Sequence, residues 1–109
     1  MVSVIHKHKV PPGGDFHLLL PRDSEILSVQ MQRGEPVMWV LCPANAEIEE
    51  RNFVLFPTGA TFETRRMISV VGAISEGLFE EYLGYIDTFQ VHDGSLVFHL
   101  FEKHVSRSS

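Results

Sequence analysis

The chain has 109 residues, 44% of them hydrophobic and 21% charged, which is the composition of one globular domain and not of a disordered segment. The net charge of −5, with only nine Lys and Arg residues, argues against non-specific nucleic-acid binding and against binding to anionic membranes. The single cysteine excludes an internal disulfide, and no apolar run has the length of a signal peptide or a membrane span. We therefore expect a soluble intracellular protein.

The first half of the chain has the period-two pattern of β-strands. Apolar and polar residues alternate through residues 2–10, 16–20 and 26–32, and Pro- or Gly-rich breakers or short turns separate these segments. Residues 37–42 are apolar on both faces, which predicts a central strand covered on both sides. Residues 47–56 predict a longer strand that ends at a Pro-Thr-Gly turn.

The second half predicts more strands and a single helix. Residues 67–74 suit a strand, and residues 75–83 predict a short helix because a serine suits the N-cap and apolar residues recur four apart. Residues 84–91 and 95–102 predict a hairpin around a His-Asp-Gly turn, and the second of these strands is apolar on both faces. Residues 103–109 resemble a frayed tail.

These elements predict one mostly β domain over residues 1–102, followed by a flexible tail over residues 103–109. The expected fold is a compact antiparallel sandwich or a partly open barrel of about seven short strands. Two strands that are apolar on both faces need a second covering layer, so we expect a homo-oligomer, most simply a dimer. The residues expected near that contact are Trp39, Val97, His99 and Phe101.

Several segments occur together in a characteristic order. They are Pro21 with residues 25–32, then residues 34–41, 56–59 and 84–102. This order resembles a family of small uncharacterised proteins encoded by tailed phages and prophages, and the match covers residues 2–102. The resemblance implies a phage accessory protein in the host cytoplasm and brings no catalytic residues with it. The chain departs from the family in a longer stretch between Gly59 and Gly84 and in Asp87, where a glycine is commoner.

His6 and His8 are spaced so that both rings leave one face of a strand, as two metal ligands can. A third ligand would have to arrive by folding, from His17, His99 or Asp93. Two solvated side chains on an edge strand are the favoured interpretation, and we predict no metal and no cofactor.

A lone histidine within an apolar strand is most often buried and hydrogen-bonded to a strand neighbour, and His99 fits this description. An acid–base role for His99, with His92, Asp93 and Thr88 nearby, is the alternative. Cys42 ends an apolar strand and is expected to be a buried, inert thiol, because nothing local supplies the base that a nucleophile needs.

An anion site is a further candidate, because backbone N–H groups of a turn and arginines can both hold a phosphate or a carboxylate. The residues that could form it are Arg51, Thr58, Gly59, Arg65 and Arg66. The segment after the turn lacks the second Gly and the Lys of a phosphate loop. A plain turn followed by solvated arginines is the simpler interpretation.

The sequence thus favours a non-enzymatic, phage-encoded accessory protein that binds a host factor and counteracts host antiviral defence, since no nucleophile–base pair and no metal motif is present. All but one of the fourteen acidic residues lie in residues 23–102, which suits a basic partner. The first alternative is an oligomer that sequesters a nucleotide-like signal molecule with its arginines. The second is a metal-dependent enzyme that uses His6, His8 and His99.

Overall fold

The computed structural model describes residues 2–71 and 77–107, and the described residues form eight β-strands and no helix. None of the described segments could therefore cross a membrane as a helix. The strands are β1 (Ser3–Lys9), β2 (Asp15–Pro21), β3 (Glu25–Gln32), β4 (Glu35–Pro43), β5 (Ile48–Pro57), β6 (Arg65–Val70), β7 (Gly77–Val91) and β8 (Leu96–Arg107).

The strands form two antiparallel sheets that do not close into a barrel. The small sheet has the order β1-β4-β3, and the large sheet has the order β2-β5-β8-β7-β6. All pairings in both sheets are antiparallel. The predicted mostly β, antiparallel fold is confirmed, with eight strands where the sequence indicates about seven.

The core lies between the two sheets. Phe53 of β5, Leu100 of β8, Leu20 of β2 and Met38 of β4 are fully buried there, and Phe89 of β7 is nearly so. Burying an apolar side chain of this size stabilises the fold by about 1.5–3 kcal/mol. The remaining buried residues of this cluster are Val10, Val29, Val40, Cys42 and Leu55.

Two hairpin turns use the left-handed backbone conformation, and the one between β7 and β8 lies where the sequence predicts it. Arg33 and Gly34 connect β3 to β4 with φ of 52° and 81°, the left-handed conformation that a tight two-residue hairpin requires. His92, Asp93 and Gly94 connect β7 to β8, also with positive φ. Gly94 N–H donates to the Val91 carbonyl and Ser95 N–H to the His92 carbonyl, which closes this turn.

The predicted helix is wrong over residues 77–83, which are the first half of β7, and residues 75–76 lie outside the described part of the chain. Side chains of this stretch also form ion pairs with the neighbouring strand. Glu80 and Glu81 point to opposite faces and pair with Arg65 and Arg66 of β6. Backbone pairing with β6 on one side and β8 on the other favours a strand over a nine-residue helix that contains a glycine.

Strand β8 also runs further than expected. Residues 103–107, interpreted above as the start of a frayed tail, pair with β7 up to the Phe79–Arg107 pair. No residue of the buried core cluster comes from β6, from residues 77–83 of β7 or from residues 103–107 of β8.

The two strands that are apolar on both faces are both central in their sheets, as predicted. They are not sandwiched on both sides, however. Strand β4 meets the large sheet through Met38 and Val40, while Trp39 points to the opposite face of the small sheet and is half-buried. Strand β8 sends Leu100 into the core and leaves its other face without a second sheet.

Candidate functional site

The outer face of the large sheet, which points away from the small sheet, carries the most distinctive cluster of side chains. Since Phe98 and Leu100 pack in the core, the alternation of β8 places Val97, His99 and Phe101 on the outer face. These are three of the four residues expected at an interface from the sequence, and all three are half-buried. The fourth, Trp39, lies on the other sheet, across from Lys7 and Ser28.

Four aromatic rings form a cluster on this outer face. Phe62, from the segment after β5, stacks on Phe56 with ring centroids 3.8 Å apart. Phe101 meets Phe56 edge-on at 5.9 Å and Phe62 at 5.4 Å, and Tyr85 meets Phe101 at 5.7 Å. Tyr85 remains 60% exposed and Phe62 39% exposed. The cluster is therefore held together by ring packing while it still offers apolar surface to solvent.

A chain of polar side chains borders the aromatic cluster. Tyr85 Oη lies 2.6 Å from Thr88 Oγ1, which lies 2.9 Å from His99 Nδ1. His99 Nε2 lies 2.8 Å from Thr58 Oγ1. Thr88 is the direct cross-strand neighbour of His99, so the predicted hydrogen bond from this histidine to a strand neighbour is present, although the ring is half-buried on the outer face.

This hydrogen-bond chain fixes the segment that carries Phe62. The side chain of Thr58 is held by His99, and the backbone N–H of Thr58 donates to the Val97 carbonyl. At the other end of the segment, Leu83 N–H donates to the Thr64 carbonyl. Residues 58–64 thus lie across the outer face and are attached at both ends.

A cleft of about 550 Å³ opens beneath this segment. Its apolar walls include Val54, Phe56, Phe62 and Leu83. Two ion pairs stand at its sides. Lys103 Nζ lies 3.0 Å from Asp15 Oδ2, and Arg66 Nε lies 2.8 Å from Glu81 Oε1. Glu63 adds a further carboxylate, so the cleft combines aromatic surface with two ion pairs and one extra negative charge.

The structure does not bring the residues of the predicted anion site together. Arg51 points to the inner face and is bound by Glu102 and the Ser24 carbonyl. Arg65 also points to the inner face and pairs with Glu80, whereas Arg66 lies on the outer face. The arginines have carboxylate partners and point to different faces, so no shared arginine site forms. Thr58 and Gly59 lie in a turn, and the Thr58 hydroxyl is hydrogen-bonded to His99.

His6 and His8 lie on one face of β1, as predicted, with ring centroids 6.4 Å apart. The Nε2 atom of His8 is buried without a hydrogen-bond partner among the described residues. Burial, followed by the neighbouring charge of His6, lowers the pKa of His8. His17 and His99 lie on the large sheet, and Asp93 lies in the β7–β8 turn, so none is on β1. Nowhere in residues 2–71 and 77–107 do three His, Cys, Asp or Glu side chains form a group that could hold a metal ion.

Cys42 is fully buried, with its Sγ 3.8 Å from the Val40 carbonyl oxygen. It faces the core between the two sheets. This placement matches the expected buried thiol.

A larger cleft of about 740 Å³ lies at the open end of the sandwich, near the β7–β8 turn. Its walls are mostly apolar, and Lys9, Glu35, His17 and His92 contribute its polar groups. Lys9 and Glu35 form an exposed ion pair at 3.6 Å. Its walls come from six separate segments of the chain, so no local sequence pattern indicates this cleft.

Sequence reasoning also missed the partners of Phe101. The sequence pattern places Phe56 and Tyr85 in strands and Phe62 in a polar stretch, and it does not indicate that their rings meet Phe101. One signal was available: Phe56 and Phe101 each stand in alternation with core residues, so both had to point outward once the core face was known. Phe62 had no such signal, because it lies outside the strands.

Comparison with known proteins gives one family match. A family described as a domain of unknown function, DUF7352, matches residues 1–109. No curated protein and no solved structure matches significantly.

Proposed function

Because the chain belongs to the DUF7352 family, whose function is unknown, we propose its function from the geometry of the outer face of the large sheet. The protein is a non-enzymatic binding protein, and it recognises another protein through this face. The single observation that carries the proposal is the partly exposed cluster of Phe56, Phe62, Tyr85 and Phe101 on a sheet face that no second sheet covers.

The cluster has the composition of a protein-recognition surface. Interfaces concentrate aromatic residues at their centre and place charged residues at the rim. Here the rings form the centre, and the pairs Lys103–Asp15 and Arg66–Glu81 lie at the side. A rigid aromatic cluster also loses little conformational entropy on binding, since the rings are already packed on each other.

The partner that fits best is a basic host protein. The net charge of −5 favours association with a positively charged surface and increases its rate at low salt. The resemblance to phage and prophage proteins supports a role inside an infected cell, where occupying a host factor would counteract antiviral defence.

The test uses matched variants of the outer face and of the other sheet. The protein is immobilised and exposed to host lysate, and any partner retained is then produced separately and titrated. Tyr85→Ser combined with Phe62→Ser should weaken binding by roughly 30-fold or more, as expected for the loss of interface hot spots. Leu27→Ser on the small sheet, at a residue 46% exposed, is the control and should bind like the wild type. Equal affinity of the double variant and the wild type would contradict the proposal, as would the absence of any saturable partner.

A nucleotide-like ligand is the second candidate, and the cleft beneath Phe62 favours it. A base could stack on the exposed side of Phe62 while Arg66 and Lys103 approach a phosphate. Thermal-shift measurements with cyclic and ADP-ribose-type nucleotides test this idea. Arg66→Ala should abolish a shift, whereas Arg65→Ala, on the opposite face, should retain it. No shift with any such nucleotide would remove this candidate.

A further inference from the structure

Strand β6 forms an edge of the large sheet, and among the described residues it pairs only with β7. Alternate residues of such a strand direct backbone N–H and C=O groups away from the sheet, where they can pair with another strand. Soluble proteins usually protect such edges with charged side chains, prolines or covering segments.

The other edges of the two sheets have this protection and β6 has little of it. Strand β1 carries two lysines and two histidines, and β2 begins with Asp15 and ends with Pro21. On β3, the Val29 N–H donates to Asp87 Oδ2 of β7. The charged residues of β6, Arg65 and Arg66, stand at its first two positions, so residues 67–70 carry neither a charge nor a proline.

We propose that β6 pairs with β6 of a second copy of this chain in an antiparallel, two-fold arrangement centred on Ile68. An antiparallel pairing of identical strands about a two-fold axis keeps each residue opposite one on the same face. In this register Ile68 lies opposite Ile68 of the second copy, Met67 lies opposite Ser69 of that copy, and Arg66 lies opposite its Val70. No arginine lies opposite an arginine.

The neighbouring strand favours this register. Phe79 of β7 is the cross-strand neighbour of Ile68, so the dimer contains a continuous apolar row on the outer face: Phe79, Ile68 and the same two residues of the copy. On the inner face, Met67 (53% exposed) comes beside Ser69 of the copy, whose other neighbour is Leu78 (58% exposed). A register centred on Met67 instead places Ile68 opposite Arg66, which breaks the apolar row on the outer face, and its inner-face row of two Met67 side chains has a Glu80 at each end.

The dimer has a consequence for recognition. The two large sheets become one continuous sheet with both outer faces on the same side, so two aromatic clusters are presented together. The pairing does not depend on the proposed function of that face, and the two ideas can fail separately.

Light scattering during size-exclusion chromatography measures the mass of the assembly. We expect the wild type to approach twice the 12.4 kDa of the chain as concentration rises. Ile68→Lys should be monomeric, because it sets two ammonium groups opposite each other, whereas Val4→Lys on β1 should remain dimeric. Tyr85→Ser should also remain dimeric. A wild type that is monomeric at the highest attainable concentration, or a dimer that Tyr85→Ser dissociates and Ile68→Lys does not, would overturn the proposal.

Cysteine cross-linking tests the register and does not need Ile68→Lys to fold. Ile68→Cys should form an intermolecular disulfide rapidly under mild oxidation, since residues directly opposite each other bring their Cβ atoms near disulfide distance. Met67→Cys and Val4→Cys should react slowly, and the native Cys42 is buried. Equal rates for the three variants, or a faster rate for Met67→Cys than for Ile68→Cys, would contradict the proposed pairing.

Discussion

Arg51 of β5 and Glu102 of β8 form a two-pronged ion pair on the inner face of the large sheet, with Nε 2.6 Å from Oε2 and Nη2 2.7 Å from Oε1. The side chains are only 17% and 10% exposed. The hydrogen bond to Glu102 raises the pKa of Arg51. This pair joins the neighbouring strands β5 and β8 beside the core, so the arginine has a structural role rather than the ligand-binding role considered from the sequence.

Removing one member of the Arg51–Glu102 pair should destabilise the protein strongly. Glu102→Ala leaves the guanidinium without its carboxylate, and we expect a loss of about 3–5 kcal/mol in the free energy of unfolding. The double variant Arg51→Met, Glu102→Leu should recover much of this loss, because it removes both charges. Urea denaturation of the three proteins measures the effect, and a single variant as stable as the wild type would contradict the structural role of the pair.

The lowered pKa of His8 predicts a dependence of stability on pH. Its pKa in the folded state lies below the ordinary value of 6.5 because burial, and then the charge of His6, disfavours protonation. The unfolded chain therefore binds the proton more tightly, so stability is fully present above pH 6.5 and falls as the pH drops through 6.5 toward the folded-state pKa.

Thermal unfolding at neutral and mildly acidic pH measures this effect. His8→Thr should lose part of the drop in melting temperature on acidification, because the group that resists protonation is gone. His6→Thr should reduce the drop less, since it removes only the smaller of the two causes. A melting temperature whose pH dependence is the same in His8→Thr and the wild type would refute the role of His8.

Thr58→Val should loosen the segment that carries Phe62. The substitution removes the hydroxyl that binds His99 and keeps the shape of the side chain, at a cost of about 1 kcal/mol for one hydrogen bond. Hydrogen–deuterium exchange of the amides of residues 58–64 should become faster, with little change in the core strands. Thr61→Val is the control, because the Thr61 hydroxyl makes no hydrogen bond within the described part of the chain. If both variants exchange alike, the Thr58–His99 contact does not hold the segment.

Cys42 should be inert in the folded protein. Its thiol is fully buried, so a thiol reagent such as Ellman's reagent should react only as fast as the protein opens or unfolds. The measured rate should rise with urea in parallel with unfolding. Rapid reaction of the native protein would show that Cys42 is accessible, contrary to its place between the two sheets.

The sequence by itself determined the local features of this protein. Alternation of apolar and polar residues was sufficient for most strands, and Asp93-Gly94 indicated the β7–β8 turn because these residue types tolerate positive φ. The double apolar character of residues 97–101 correctly indicated a central strand with a second apolar face. These signals depend on neighbours within a few positions along the chain.

Only the tertiary structure decided what meets each face. Residues 77–83 have helical spacing in the sequence, but in the structure they pair with β6 on one side and with β8 on the other. The predicted anion site does not form, because Arg51 instead pairs with Glu102, a residue fifty-one positions away in the sequence. Likewise Phe62 reaches Phe56 and Phe101 only because residues 58–64 are attached across the sheet. Such contacts depend on long-range register, which a local pattern does not encode.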